Sequence, residues 1–89
     1  MTAPLRVRKR PVTVEAMPYT GDNAADIVRW AGNDAYETLS GELVIRTLEG
    51  DHIATPGDYV IRGVEGEHYP VKPSIFEATY EVIPVGGDG

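Results

Sequence analysis

The sequence predicts an α+β domain: a small twisted antiparallel sheet or partial barrel of five to six short strands, one amphipathic helix at about residues 23–31, and one short helical turn at about 74–78. Three observations lead there. Short runs rich in β-branched and aliphatic residues alternate with polar ones. Pro-Gly, Glu-Gly and Ser-Gly pairs break those runs at close intervals. One stretch alone, residues 24–31, has apolar residues at helical spacing.

The first strand is expected to begin near Lys9, because Pro11 suits a strand start and Val12, Val14 and Ala16 alternate with Thr13, Glu15 and Met17. Pro18 ends it. Thr20, Gly21, Asp22 and Asn23 are turn residues whose side chains can accept from the free N–H groups opening a helix. Ala24, Ile27, Val28 and Ala31 then form the helical stripe with Trp30 at its edge, and Gly32 offers a stop. A short strand is expected at 36–39, and a hairpin from 43–48 and 52–55 around Glu49-Gly50-Asp51. Pro56-Gly57 has the sequence of a type II turn, with proline fixing φ at the first central position and glycine accepting positive φ at the second. A second hairpin joins 59–64 to 67–71. Pro73 suits a first helical position, and Ser74 with Glu77 has capping-box spacing, giving the turn at 74–78. Residues 79–83 alternate again and read as a closing strand. The expected division is a basic arm at 1–9, one domain at 10–83 and a flexible tail at 84–89.

With 89 residues there is room for a single core. The chain has no cysteine, which excludes disulfides, a thiol nucleophile, thiolate zinc sites and iron–sulfur clusters. No apolar run approaches the length needed to cross a bilayer, and the N-terminus lacks the hydrophobic stretch of a signal peptide, so no membrane association and a cytoplasmic location are expected. Fourteen acidic and 8 basic side chains leave a net charge of −6, unevenly spread. Arg6, Arg8, Lys9 and Arg10 hold half of the positive charge, while residues 11–89 set 4 basic side chains against all 14 carboxylates, a balance of −10. Such a body repels phosphates, so nucleic acid is not the expected partner; the four clustered cations are the candidate phosphate contacts. A solvated arm, or a first strand that neutralises its own acidic domain, accounts for the same residues.

Candidate chemistry is sparse. His52 and His68 have carboxylates nearby, yet no HxxxH or HExxH spacing is present, and both read as polar strand residues on a solvent face. No metal or other cofactor is expected. Fourteen carboxylates could pair for acid–base work, but nothing in their spacing selects a pair, and Asp58 after Pro-Gly reads as an acceptor for local turn backbone. Neither GxSxG nor a phosphate-binding loop occurs. Tyr59, Tyr69, Phe76 and Tyr80, with Arg62 and Lys72 among them, form either a binding patch with a cationic rim or simply the filling of a small core.

Several strings taken together have a familiar look. Arg8-Lys9-Arg10-Pro11-Val12, Tyr19-Thr20-Gly21-Asp22-Asn23, Leu43-Val44-Ile45-Arg46-Thr47-Leu48-Glu49-Gly50-Asp51 and Pro56-Gly57-Asp58-Tyr59-Val60-Ile61-Arg62-Gly63-Val64 come first, followed by Gly66-Glu67-His68-Tyr69-Pro70-Val71-Lys72-Pro73-Ser74-Ile75-Phe76 and Thr79-Tyr80-Glu81. Over about residues 8–81 the chain resembles a family of small phage and prophage proteins of unassigned function. The resemblance implies a setting, the cytoplasm of an infected host, and brings no catalytic residue with it. The chain departs from the family's usual cysteine at Val71, its aspartate at Ser74, and a larger aromatic at Tyr19 or His68. The first departure implies a small buried strand residue at 71, and the second that Ser74 keeps a capping role.

The expected function is that of a non-enzymatic phage accessory protein that binds an unidentified host or phage protein and self-associates. Its expected contact region is Tyr59, Arg62, Glu67, His68, Tyr69 and Lys72, exposed or half-exposed. The alternatives are nucleotide or nucleic-acid binding through the arm or an aromatic pocket, and a small hydrolase using an Asp–Glu or His–Asp pair.

Overall fold

The structure is a computed structural model that describes residues 2–84. Among these, six strands and two helices form an α+β domain: β1 (Glu15–Pro18), α1 (Ala24–Ala31), β2 (Ala35–Glu37), β3 (Leu43–Thr47), β4 (Gly50–Ala54), β5 (Tyr59–Arg62), β6 (His68–Val71) and α2 (Pro73–Thr79). All strand pairs are antiparallel. The expected single sheet is replaced by two three-stranded sheets, in the orders β1-β5-β6 and β2-β3-β4. They do not close into a barrel.

Helix α1 explains why the two sheets cohere. Its stripe of Ala24, Ile27 and Ala31 is buried and packs with Leu43, Ile45 and Ala54 of one sheet and Val60 of the other. Ile27, Leu43, Ile45 and Val60 are fully buried, and each such side chain contributes about 1.5–3 kcal/mol relative to exposure. Strand β6 lies against β3 and β4, which brings the sheets together at the second hairpin.

Strand alternation then sorts the first sheet into two faces. Met17 and Val60 face the main core, and register places Glu15, Arg62, His68 and Pro70 on that inner side with them. Ala16, Pro18, Tyr59, Ile61, Tyr69 and Val71 share the outer side. Helix α2 covers part of that side: its buried Phe76 stacks on Tyr59 with ring centroids 3.7 Å apart, and Tyr80 stacks on Phe76 at 5.3 Å.

Several local expectations are corrected. Residues 11–14 lie outside β1, which begins at Glu15. Asn23 turns its side chain back, accepting from Thr20 N–H at 2.9 Å and donating to Pro18 O at 2.8 Å, and does not cap α1. No capping box forms at Ser74, because α2 already begins at Pro73 with Lys72 in the cap position. Residues 79–83 do not form a closing strand: Thr79 ends α2, and Tyr80 N–H still donates helically to Phe76 O at 2.9 Å. Val71 is half-buried rather than buried. Apart from Pro84, the expected tail lies outside the described residues.

Candidate functional site

On the inner face, Arg62 and His68 are cross-strand partners flanking the second hairpin turn. His68 is 4% exposed, which corrects its expected place on a solvent face. Its Nδ1 lies 2.7 Å from Asp34 Oδ2, and its Nε2 lies 3.3 Å from Arg62 Nε. A guanidinium can only donate, so Nε2 is the acceptor and the neutral ring carries its proton on Nδ1, donating it to Asp34. Arg62 is also bound to Glu15 Oε1 at 2.8 Å and to Trp30 O at 2.7 Å, with its guanidinium 4.5 Å from the Trp30 ring centroid. The Trp30 and His68 rings meet edge to face at 5.2 Å. A His–Asp pair is therefore present, but both ring nitrogens are occupied within the protein. The arrangement joins the first sheet to the end of α1 and the 3-10 turn at Gly32–Asp34, and leaves no nitrogen to take a proton from a substrate.

Asp58 behaves as its turn position predicts. It is 2% exposed, and its Oδ2 accepts from Thr55 N–H at 2.9 Å and from Thr55 Oγ1 at 3.2 Å. Gly57 has φ +99°, as a type II turn requires, and Asp58 N–H closes the turn on Thr55 O at 2.9 Å. Lys72 Nζ adds a contact to Asp58 Oδ2 at 3.2 Å, so this lysine is tied to the turn.

The outer face is more open. Tyr69 and Tyr80 join their hydroxyls at 3.2 Å. Burial pushes the Tyr69 phenol up to about 12, helped by that hydrogen bond and by the charges of Tyr80 and Glu67. Around the two tyrosines lies a groove of 380 Å³, also lined by Lys9, Arg10, Val12 and Val64. The end of the basic arm and half of the aromatic group thus share one surface. A second hollow of 310 Å³ opens between the β3–β4 turn and the start of β6, lined by His52, Glu67, His68 and Tyr69 among others. Among the described residues, no three His, Cys, Asp or Glu side chains converge as a metal site.

The six expected contact residues do not share one surface, although Glu67, His68 and Tyr69 together line the second hollow. Arg62 and His68 face inward, Tyr59 and Tyr69 outward, and Lys72 pairs with Asp58. Glu67 folds over its own turn, accepting from Glu65 N–H at 3.0 Å, and borders both hollows. Of the four arm cations, Lys9 and Arg10 reach the groove, whereas Arg6 and Arg8 do not line it; all four are exposed. Sequence reasoning missed Trp30, Asp34 and Glu15 in the inner network and Val64 in the groove. For the network a signal existed, since residues flanking a short hairpin turn lie opposite each other on one face, and Val60 two positions before Arg62 identifies that face as the apolar one.

Among the described residues, no helix is long and apolar enough to cross a membrane. Comparison with protein-family models, with curated proteins and with solved structures gives no match.

Proposed function

We propose that this chain is a non-enzymatic phage accessory protein that acts in the host cytoplasm by binding a host or phage protein, with the outer-face groove as its contact surface. The observation that carries this reading is the convergence of Lys9 and Arg10 with Tyr69, Tyr80 and Val64 on one open groove. The titratable groups His68 and Asp58, by contrast, are satisfied inside the fold. Tyrosines beside an apolar side chain, with cations at the rim, have the composition of a protein-recognition surface. Val64 is 68% exposed, so Val64→Arg blocks the groove without disturbing the core. Affinity capture from infected-host lysate is expected to recover a partner with the wild-type chain and to lose it with Val64→Arg. Recovery of the same proteins by both chains counts against the groove.

A second reading, phosphate binding through the arm, is favoured by one observation: Arg6, Arg8, Lys9 and Arg10 are exposed and join no ion pair among the described residues. It predicts DNA or RNA affinity that falls steeply with salt. Affinity that is absent at low salt removes it.

A further inference from the structure

The two hollows differ in charge, and the difference selects what the groove takes. In the smaller hollow the carboxylates are Glu49 and Glu67, with His52 and His68 beside them and no lysine or arginine. In the groove the charged side chains are Lys9, Arg10 and Glu67. The Glu67 carboxylate is turned onto its own hairpin, accepting from Glu65 N–H and lying against Gly63, where only a glycine leaves room for it. Lys9 and Arg10 are exposed and join no ion pair among the described residues. The basic side chains of the body are all engaged elsewhere. Arg29 pairs with Asp26, Arg46 lies over the Tyr36 ring and donates to Asn33 O, Arg62 is held in the inner network, and Lys72 is tied to Asp58. Residues 11–89 set only these 4 cations against 14 carboxylates. The groove is therefore where unpaired cations meet apolar surface on an otherwise acidic molecule.

Resting on the reading of this groove as the contact surface, we propose that its partner is an acidic peptide segment. A large apolar side chain of the segment sits between Val12, Val64 and Tyr80, and flanking Asp or Glu carboxylates lie on Lys9 and Arg10. At 380 Å³ the groove is at the low end of the about 300–1,000 Å³ that hold small molecules, so it seats a side chain rather than a folded face. Val12 and Val64 are 61% and 68% exposed, apolar area that an anchoring side chain removes from water. Tyr69 and Tyr80 add a directional contact. Their hydroxyls pair at 3.2 Å, and two phenols that use one proton between them keep the other to donate, which a carboxylate accepts. Nucleic acid carries the same sign of charge but fits less well. A polyphosphate chain also runs past the acidic body, whereas a few carboxylates beside an apolar anchor are confined to the groove.

Selection from a randomised peptide library on the immobilised full chain is expected to enrich sequences that combine Asp or Glu with Leu, Phe or Trp. An enriched peptide, labelled and titrated by fluorescence anisotropy, is expected to bind Lys9→Gln/Arg10→Gln about tenfold more weakly, the loss expected of two exposed charge pairs. Its affinity for the wild-type chain falls as salt is raised. Both substituted side chains are exposed, so the double variant keeps the fold. Arg6→Gln/Arg8→Gln, on the same arm but outside the groove lining, is expected to cost no more than about twofold. No enrichment, enrichment of neutral or basic peptides, equal losses for the two double variants, or a single-stranded oligonucleotide that displaces the peptide and binds more tightly overturns the acidic partner. Capture from infected-host lysate separates this failure from that of the groove itself. A partner lost with Val64→Arg but kept by Lys9→Gln/Arg10→Gln overturns the acidic segment alone, whereas a partner kept by both variants removes the groove and the segment with it.

Discussion

His68→Ala removes the acceptor for Arg62 Nε and the donor to Asp34 in a single change. Hydrogen bonds to charged groups contribute about 1.5–3 kcal/mol each. The Arg62 and Asp34 side chains are 31% and 39% exposed, so water replaces part of what is lost and the lower end of that range applies to each. The imidazole also meets Trp30 edge to face at 5.2 Å, a contact of about 0.5–1.5 kcal/mol. The expected loss is about 3.5–4.5 kcal/mol from a total that for small domains is about 5–15 kcal/mol. With an m-value of about 1 kcal/mol/M for a chain of this size, the urea midpoint falls by about 4 M. Far-UV circular dichroism follows it without the confounding change at Trp30. His52→Ala is the control: His52 is exposed on β4, and its loss is expected to move stability by no more than about 0.5 kcal/mol. Equal midpoints for the two variants would refute the reasoning, because the inner network would then contribute nothing that an exposed histidine does not.

Asp58→Ala leaves Thr55 N–H without its acceptor in a site where the carboxylate is 2% exposed, and a loss of about 2–3 kcal/mol is expected by thermal or urea unfolding. Lys72→Met, which removes a cation whose side chain is 59% exposed, is expected to cost less than about 1 kcal/mol in the same assay. Phe76→Ala empties the space between Tyr59 and Tyr80 and is expected to cost about 3–5 kcal/mol, with loss of near-UV dichroism from the tyrosine stack. The Tyr69 phenol holds its proton up to about 12 in the folded chain against 10.0 ordinarily, so its contribution to stability is whole below pH 10 and is lost as pH rises towards 12. Phenolate absorbance should show a late-titrating component that Tyr69→Phe removes, and the same substitution should flatten the alkaline decline.

Elements held by neighbours in sequence were legible. The stripe of Ala24, Ile27 and Ala31 forms α1 over its expected span, and the Thr55-to-Asp58 turn closes with the glycine conformation its sequence requires. What failed was long-range. The pairing of Glu15 with Arg62, 47 positions apart, leaves no local trace in the sequence, so the division into two sheets was hidden. Tyr59, Arg62, His68 and Tyr69 were grouped by proximity, although period-2 alternation places them on opposite faces. The closing strand failed for a different reason. Residues 79–83 have the alternation of a strand, but Thr79 continues α2 and Tyr80 stacks on Phe76, so the aromatic contact overrides the local pattern.

The distance in sequence between β1 and β5 also sets an order of assembly. The β2-β3-β4 meander and the β5–β6 hairpin each close short loops, whereas β1 waits for the chain between it and β5 to be gathered in, at a greater entropic cost. Contacts that arrive last and are held from one side open at the lowest free energy, so amides of Glu15 and Met17 exchange ahead of those in β3, which has neighbours on both sides. The domain has its most labile seam at its N-terminal strand, where pulling or proteolysis begins to take it apart.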